Sequence, residues 1–378
     1  MSTRLESAPL EDWLRERYFD AAADISSSGV DPYTWPELRE LLDLDPNDLD
    51  AISFRDSRSA GSDELRALIA QRYQVDDPNR VIVGNGSTEA QLLVLAATLA
   101  AGDEVVVVEP AYHSLISPVR ALGCRVKRWQ LRPELGFRPE MEELRQLVTD
   151  STAMVVVNFP HNPTGVTLTR SEQLELIEIT RRHGCRLFWD GAFEDLVADG
   201  RPLPMPSVLD PQALSFGSMS KAFGLPGLRV GWGIVPPDVV QAAVSVRDYT
   251  TLALSPLVEF VAARALRGAD RLLGPRLATV ADNRALVRAW LDRNPDTVSC
   301  PGANEGAGTV IFPALRNVAD TVAFCDRLMR EQKVLLVPGE CWNLPGHVRL
   351  GFGGDSAALS RGLDAVTSLL DSLEAGAR

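Results

Sequence analysis

The sequence predicts an α/β fold. A large domain with a mostly parallel seven-stranded sheet covered by helices is followed by a smaller α+β domain. Three observations carry this prediction. Short, near-continuous apolar runs such as VIVG, EVVVVEP and AMVVVNFP alternate with helical patterns between residues 81 and 235; strands buried on both faces read this way, without polar alternation. The chain has 378 residues, 45% of them hydrophobic, which suffices for one large core and a second, smaller one. From about residue 295 onward, short strand signals mix with helices, the pattern of a compact α+β unit.

The elements follow in order. Residues 9–20 (PLEDWLRERYFD) read as a helix, with Pro9 in the first turn and Leu10, Trp13, Leu14 and Arg17 on one stripe. DISSSGVDP (24–32) is a loop. Helices are expected at 35–44 and at 63–73, the latter capped by Ser62 or Asp63. Strands are then expected at 81–84, 104–110, 125–131, 153–160, 186–190, 214–218 and 229–235, and helices at 87–100, 114–123, 140–149 and 170–183. A helix at 252–267 precedes a long one at about 272–291. Strands at 309–312 and 334–338 and helices at 318–332 and 356–374 complete the chain.

The formal net charge of −13 argues against nucleic acid or an anionic membrane as a partner and leaves a small molecule as the expected one. Five cysteines, an odd number with no CxxC pair, suggest a reduced, cytoplasmic setting and no metal. The opening MSTRLESAPLEDW has no apolar run of the signal-peptide kind, and no stretch is long enough to span a bilayer.

Ser215–Trp232 (SFGSMSKAFGLPGLRVGW) draws attention because lysine is scarce. Lys221 is one of three, beside Lys127 and Lys333, and most basic charge is arginine. Arginine stays protonated and cannot attack a carbonyl. Lys221 is therefore the candidate to carry pyridoxal phosphate covalently on its amine, with Ser218, Ser220 and Arg229 holding the phosphate. Parallel sheets bind ligands at the carboxyl ends of their strands, where Gly86, Ser87, Thr88, Tyr112, Asn162, Asp190 and Lys221 all fall. Gly86-Ser87-Thr88 lies between a strand and a helix start, where backbone N–H groups and the helix dipole favour a phosphate. Asp190 ends RLFWD, where a carboxylate would pair with a pyridinium nitrogen and make the ring an electron sink.

With these motifs in view, the chain resembles the fold-type I pyridoxal-phosphate enzymes of the class I/II aminotransferase group over nearly its whole length. The resemblance implies that Lys221 is the catalytic lysine and that Asn162 of HNPTG donates to the cofactor's phenolic oxygen. Tyr112 would stack on the cofactor ring and Arg349 of HVRLGFGG would grip the substrate α-carboxylate. It also implies an N-terminal arm and lid over 1–35 that joins the small domain, a large cofactor-binding domain over 36–275, a small domain over 276–378, and a homodimer meeting near 54–61 and 255–259.

Two positions depart from the group's usual pattern. WDGAFEDL places Phe193, without a hydroxyl, where a tyrosine commonly donates to the phenolic oxygen, and FRDSRSAG lacks the tyrosine often sent to the neighbouring subunit. The wording of PLEDWLRERYF, DISSSGV, VVNFPHNPTG, SKAFGLPGLRVGW and RDYTTLALSPLVE is similar to a capreomycidine-forming branch. That resemblance implies dehydration and intramolecular cyclisation of 3-hydroxy-L-arginine in antibiotic biosynthesis. Ser28 and Gly29 would lie in a loop covering the substrate. A guanidinium needs an acidic partner, for which Asp12, Glu16, Asp31 and Glu89 are open; Lys221, His113 and His161 are open as the acid for the departing hydroxyl. An aminotransferase, an arginine oxidase or hydroxylase, and a non-catalytic effector domain are the alternatives.

Overall fold

The computed structural model describes residues 5–197, 202–302 and 307–377, so the first four residues of the expected arm lie outside it. Its centre is a seven-stranded sheet: β1 (Val81–Asn85), β2 (Glu104–Glu109), β3 (Arg125–Gln130), β4 (Thr152–Asn158), β5 (Arg186–Asp190), β6 (Leu214–Ser218) and β7 (Val230–Ile234), in the spatial order β1-β7-β6-β5-β4-β2-β3. Every expected strand of the large domain is present within two residues. The pairings among β3, β2, β4, β5 and β6 are parallel, whereas β7 runs antiparallel to both β6 and β1. The reversal has a simple cause. A parallel return needs a crossover of a dozen residues or more, and the link Met219–Arg229 is short and carries Lys221.

Alternate side chains of the central strands enter different cores. Val106, Val108, Val155 and Val157 pack on one side of the sheet, and Val105, Val107, Met154 and Val156 on the other, all fully buried. Both faces are covered, which explains why these runs carry no polar alternation.

The remaining expected helices and strands are present with adjusted boundaries. The first helix stops at Arg15, and a short 3₁₀ turn covers Tyr18–Asp20. The long helix spans Ala269–Arg293. A helix at Pro237–Arg247, which the sequence reading did not anticipate, packs against the Ser87–Thr98 helix. The C-terminal part holds a small antiparallel sheet of Val310–Ile311, Val348–Gly351 and Val337–Pro338. The expected loop at 24–32 is tied into this part: Ala23–Asp24 pairs in parallel with Val334–Leu335, and the Gly351 N–H donates to the Ile25 carbonyl at 2.9 Å. Contact there is so close that a Cβ on Gly351 would sit 1.9 Å from the Ser27 carbonyl oxygen. The N-terminal strap thereby reaches the carboxyl ends of the large sheet.

Candidate active site

At those strand ends lies a cavity of about 400 Å³. Its walls come from the strand ends, the N-terminal strap and Arg349, and of the expected residues Ser28, Gly29, Ser87, Thr88, Tyr112, Asn162, Asp190, Phe193, Ser218, Ser220, Lys221, Arg229 and Arg349 line it.

The Lys221 amine donates to Ser28 Oγ at 2.9 Å and lies 5.3 Å from the centre of the Phe193 ring. Burial, reinforced by the Arg349 and Arg229 charges and opposed by Glu11 and Asp190, lowers its pKa to about 8. A useful fraction of the amine is therefore neutral near neutral pH.

Asp190 is the last residue of β5. Burial raises its carboxyl to about 6, against the Ala192 N–H, which donates to Oδ1 at 3.1 Å, and against Gln91 and Lys221. A buried carboxyl this poorly compensated suits a cationic N–H partner. Asn158, which ends β4, donates through Nδ2 to the Asp190 carbonyl at 2.8 Å, and its Oδ1 accepts the Asn162 N–H at 2.9 Å. A strand-end amide thus fixes the HNPTG turn.

Arg349 is buried, and burial lowers its guanidinium to about 10. Nε and Nη2 donate to the Ser26 carbonyl at 3.1 and 2.8 Å, and Nη1 to Asn162 Oδ1 at 3.1 Å. Among the described residues these partners are neutral oxygens. A buried cation held by neutral acceptors is a receptor for a carboxylate.

The helix Ser87–Thr98 starts at Gly86 with no side chain capping its first turn. Gly86 has φ +83°, and a Cβ there would lie 2.4 Å from Arg229 Nη2, so only glycine lets the guanidinium approach the helix start. Arg229 itself adopts the left-handed region (φ 55°) and donates to Ser220 Oγ at 3.3 Å, while Ser218 Oγ accepts the Ser220 N–H at 3.0 Å. The uncapped N–H groups, Ser87, Thr88, Ser218, Ser220 and one arginine fork form an anion cradle. These residues fit pyridoxal phosphate: an anion cradle, a buried acid and an amine lie around one cavity.

Other expectations are corrected. Glu16 does not line the cavity; it is exposed and pairs with Arg17 at 2.9 Å. Asp12 pairs with Arg15, also outside. Glu89 accepts from Asn85 Nδ2 at 3.0 Å and lies 3.5 Å from Arg247. Asp31 does line the cavity, and burial raises its carboxyl. The acid that the sequence reading missed is Glu11, whose Oε1 accepts from the Tyr112 hydroxyl at 2.7 Å inside the cavity. On the helix expected over 9–20, Leu10, Trp13, Leu14 and Arg17 define one stripe and Glu11 and Glu16 flank it on opposite sides, so periodicity alone could not choose between them; the observed helix ends at Arg15. Gln91 was missed too, although a lone amide in the apolar STEAQLLVLAAT helix was a signal. His161 is buried, its two ring nitrogens engaged by Thr164 Oγ1 and the Pro110 carbonyl at 2.8 Å each, and burial lowers it to about 4. His113 does not line the cavity; its ring lies 4.2 Å from that of Tyr112, centre to centre, and burial lowers its pKa.

Fold and site together define a pyridoxal-phosphate-dependent enzyme. Residues 55–366 match the family model for aminotransferase class I and II, and the chain belongs to that family. It is 46% identical to a capreomycidine synthase of Streptomyces vinaceus, over 99% of this chain and 96% of that protein. It is 30% identical to an arginine–pyruvate transaminase, AruH, of Pseudomonas aeruginosa, over 77% and 76%. The crystal structure of a PLP-dependent cyclase, OrfR, superposes with a TM-score of 0.92 at 40% identity, covering 98% of both chains. No helix among the described residues is long and apolar enough to cross a membrane, and none of their side chains form a metal-binding group.

Proposed function

We propose that this chain dehydrates and cyclises 3-hydroxy-L-arginine to capreomycidine. The observation that carries the reading is the 46% identity to a capreomycidine synthase over nearly the full length of both proteins. The cavity supports it by pairing a carboxylate receptor, Arg349, with carboxylates at Glu11 and Asp31 that suit a guanidinium.

When bound, pyridoxal phosphate withdraws electrons from the substrate Cα and acidifies its proton. Asp190 would hold the ring nitrogen's proton, Asn162 and Tyr112 would orient the ring, and the cradle of Gly86, Ser87, Thr88, Ser218, Ser220 and Arg229 would fix the phosphate. Arg349 holds the α-carboxylate. Lys221 takes the proton from Cα and delivers it to the hydroxyl on Cβ, which leaves as water. A guanidine nitrogen of the same molecule adds to Cβ and gives up a proton to Lys221, which returns it to Cα. The balance is the loss of one water, with no amino group transferred and no oxidant used. Glu11 and Asp31 fold the guanidinium over Cβ, and the intramolecular geometry makes ring closure rapid. Phe193 gives Lys221 an apolar wall.

The chain divides accordingly into an arm over 1–35, a large domain over 36–275 and a small domain over 276–378, the second boundary falling at Pro275 within the Ala269–Arg293 helix. A homodimer would cover the exposed Phe54, Tyr249 and Leu252.

The test is incubation of the purified holoenzyme with 3-hydroxy-L-arginine, without keto acid, followed by mass. A product lighter by one water, without oxygen uptake, is expected. Strict dependence on 2-oxoglutarate would replace the reading with a transaminase, and oxygen consumption with arginine would replace it with an oxidase.

A further inference from the structure

The proton transfers at Cα require the Lys221 amine, once free, to stay at one place, and Ser28 is the residue that meets it. Ser28 Oγ accepts from Nζ at 2.9 Å although 193 residues separate them in the chain. The backbone that carries the hydroxyl is anchored on both sides. Thr309 Oγ1 donates to the Ser28 carbonyl at 2.7 Å, and the Val30 N–H donates to the carbonyl of Lys221 itself at 3.4 Å. Between them Gly29 presses so close that a Cβ would lie 3.2 Å from the Ser220 carbonyl oxygen and 3.6 Å from Lys221 Cα. Ser28 is buried, at 6% exposure, on the wall of the cavity. The histidines provide no substitute: His161 is engaged elsewhere and His113 lies outside the cavity.

We propose that Ser28 is a positioning residue for Lys221: its hydroxyl holds the free amine over the substrate Cα and supports the amine's protonated form, so that one amine both removes and returns the Cα proton. This deepens the cyclase reading and rests on it for the identity of the substrate, but not for the proton transfer, which any bound amino acid reports. The charged groups facing the amine are Arg349 from the C-terminal sheet, Glu11 from the first helix, Asp190 from β5 and Arg229 before β7. Ser28 adds a neutral acceptor to this set. An acceptor bonded to an ammonium stabilises the charged form, so its loss must lower the amine's pKa.

Two measurements on full-length protein test this. The first is solvent deuterium exchange at Cα of arginine, which has no leaving hydroxyl, by the holoenzyme. Ser28→Ala should lower the plateau rate about 10-fold or more, leave KM within about twofold, and move the rising limb of the pH profile to lower pH; Ser28→Thr should restore the profile. The second is reductive methylation of Lys221 against pH in the cofactor-stripped chain, where Ser28→Ala should move the midpoint down by about one pH unit. Unchanged midpoints in both measurements would overturn the assignment. Should Ser28→Ala fail to fold, Ser28→Cys, with its weak hydrogen-bonding thiol, carries the same comparison. If 3-hydroxy-L-arginine gives no dehydrated product while exchange still depends on Ser28, the cyclase reading fails and the Ser28 assignment stands. Dehydration with Ser28-independent exchange sinks the assignment alone.

Discussion

The strand ends of the large sheet and the N-terminal strap line one cavity but are held in different ways. Asn158, Asp190 and Ser218 are the last residues of β4, β5 and β6, fixed by the sheet ladder that precedes them. Beyond a two-residue pairing, the strap has no such ladder. It is moored to the C-terminal part through Ala23–Asp24 on Val334–Leu335, the Trp13 indole N–H on the Leu336 carbonyl at 2.9 Å, and Arg349 on the Ser26 carbonyl. Groups assigned to the cofactor come mostly from the first region; groups that would meet the far end of a substrate come from the second. Such a division lets the distal contacts change while the proton-moving apparatus stays in place. It also assigns different failures to the two regions, loss of chemistry in one and loss of substrate choice in the other, with Ser28 the exception: a strap residue that serves the proton-moving amine.

The largest effect on substrate choice should come from Glu11. Glu11→Gln keeps an acceptor for the Tyr112 hydroxyl but removes the charge facing a guanidinium, so KM for 3-hydroxy-L-arginine should rise about 10- to 100-fold. KM for an uncharged analogue should barely move. Glu16→Gln, five residues on and outside the cavity, should leave both constants unchanged. Equal effects of the two substitutions would break the comparison, since the helix would then act as a scaffold without a recognition face.

A smaller effect is expected from unmooring the strap. Trp13 is buried, and the Arg17 guanidinium lies 3.8 Å from its ring centre. Trp13→Ala removes that packing and the bond to Leu336, costing about 3 kcal/mol or more of local docking. Limited proteolysis should then cut within the first 30 residues or so while the core resists, and KM should rise by roughly 10-fold. Global unfolding in step with strap release would show that the two regions are one cooperative unit.

The same contrast governs what was legible in the sequence. Lys221, Asp190, Asn162 and the Gly86–Thr88 turn each follow an apolar strand, so local pattern located both element and residue. Arg229 was marked by its spacing from Lys221. The strap was read as a loop because Ala23–Asp24 finds its partner more than 300 residues away, and no local pattern encodes such a pairing. Glu11 was missed for a related reason: the stripe on its helix gives the buried face but not which flank borders the cavity. The helix at Pro237–Arg247 went unread although PDVVQAAVSVR carries an N-terminal proline and acid, a signal obscured by its valines, which also favour strands. The direction of β7 was hidden because apolar runs look alike in parallel and antiparallel strands; the length of the link before it was the available cue.

The smallest effect concerns the sheet region, where site chemistry opposes stability. In the cofactor-free chain Asp190 titrates at about 6, above its ordinary 3.8, because burial disfavours its charge. A carboxyl raised in this way favours the folded state when protonated: its contribution is full below pH 3.8 and is lost as pH rises through about 6. Above that pH the charged carboxylate costs folding at most about 3 kcal/mol. Asp190→Asn removes this cost and retains an oxygen for the Ala192 N–H. The cofactor-stripped variant should therefore melt about 2–6 °C above the stripped parent at pH 8, and the gap should close as pH falls below 6. With pyridoxal phosphate bound the order should reverse, because the parent then pairs its carboxylate with the ring N–H and the variant cannot. Calorimetry of both proteins at two pH values, with and without cofactor, reads all these signs; a gap independent of pH would show that Asp190 carries no strained charge, and the distinction between a chemically committed sheet edge and an adaptable strap would lose its energetic basis.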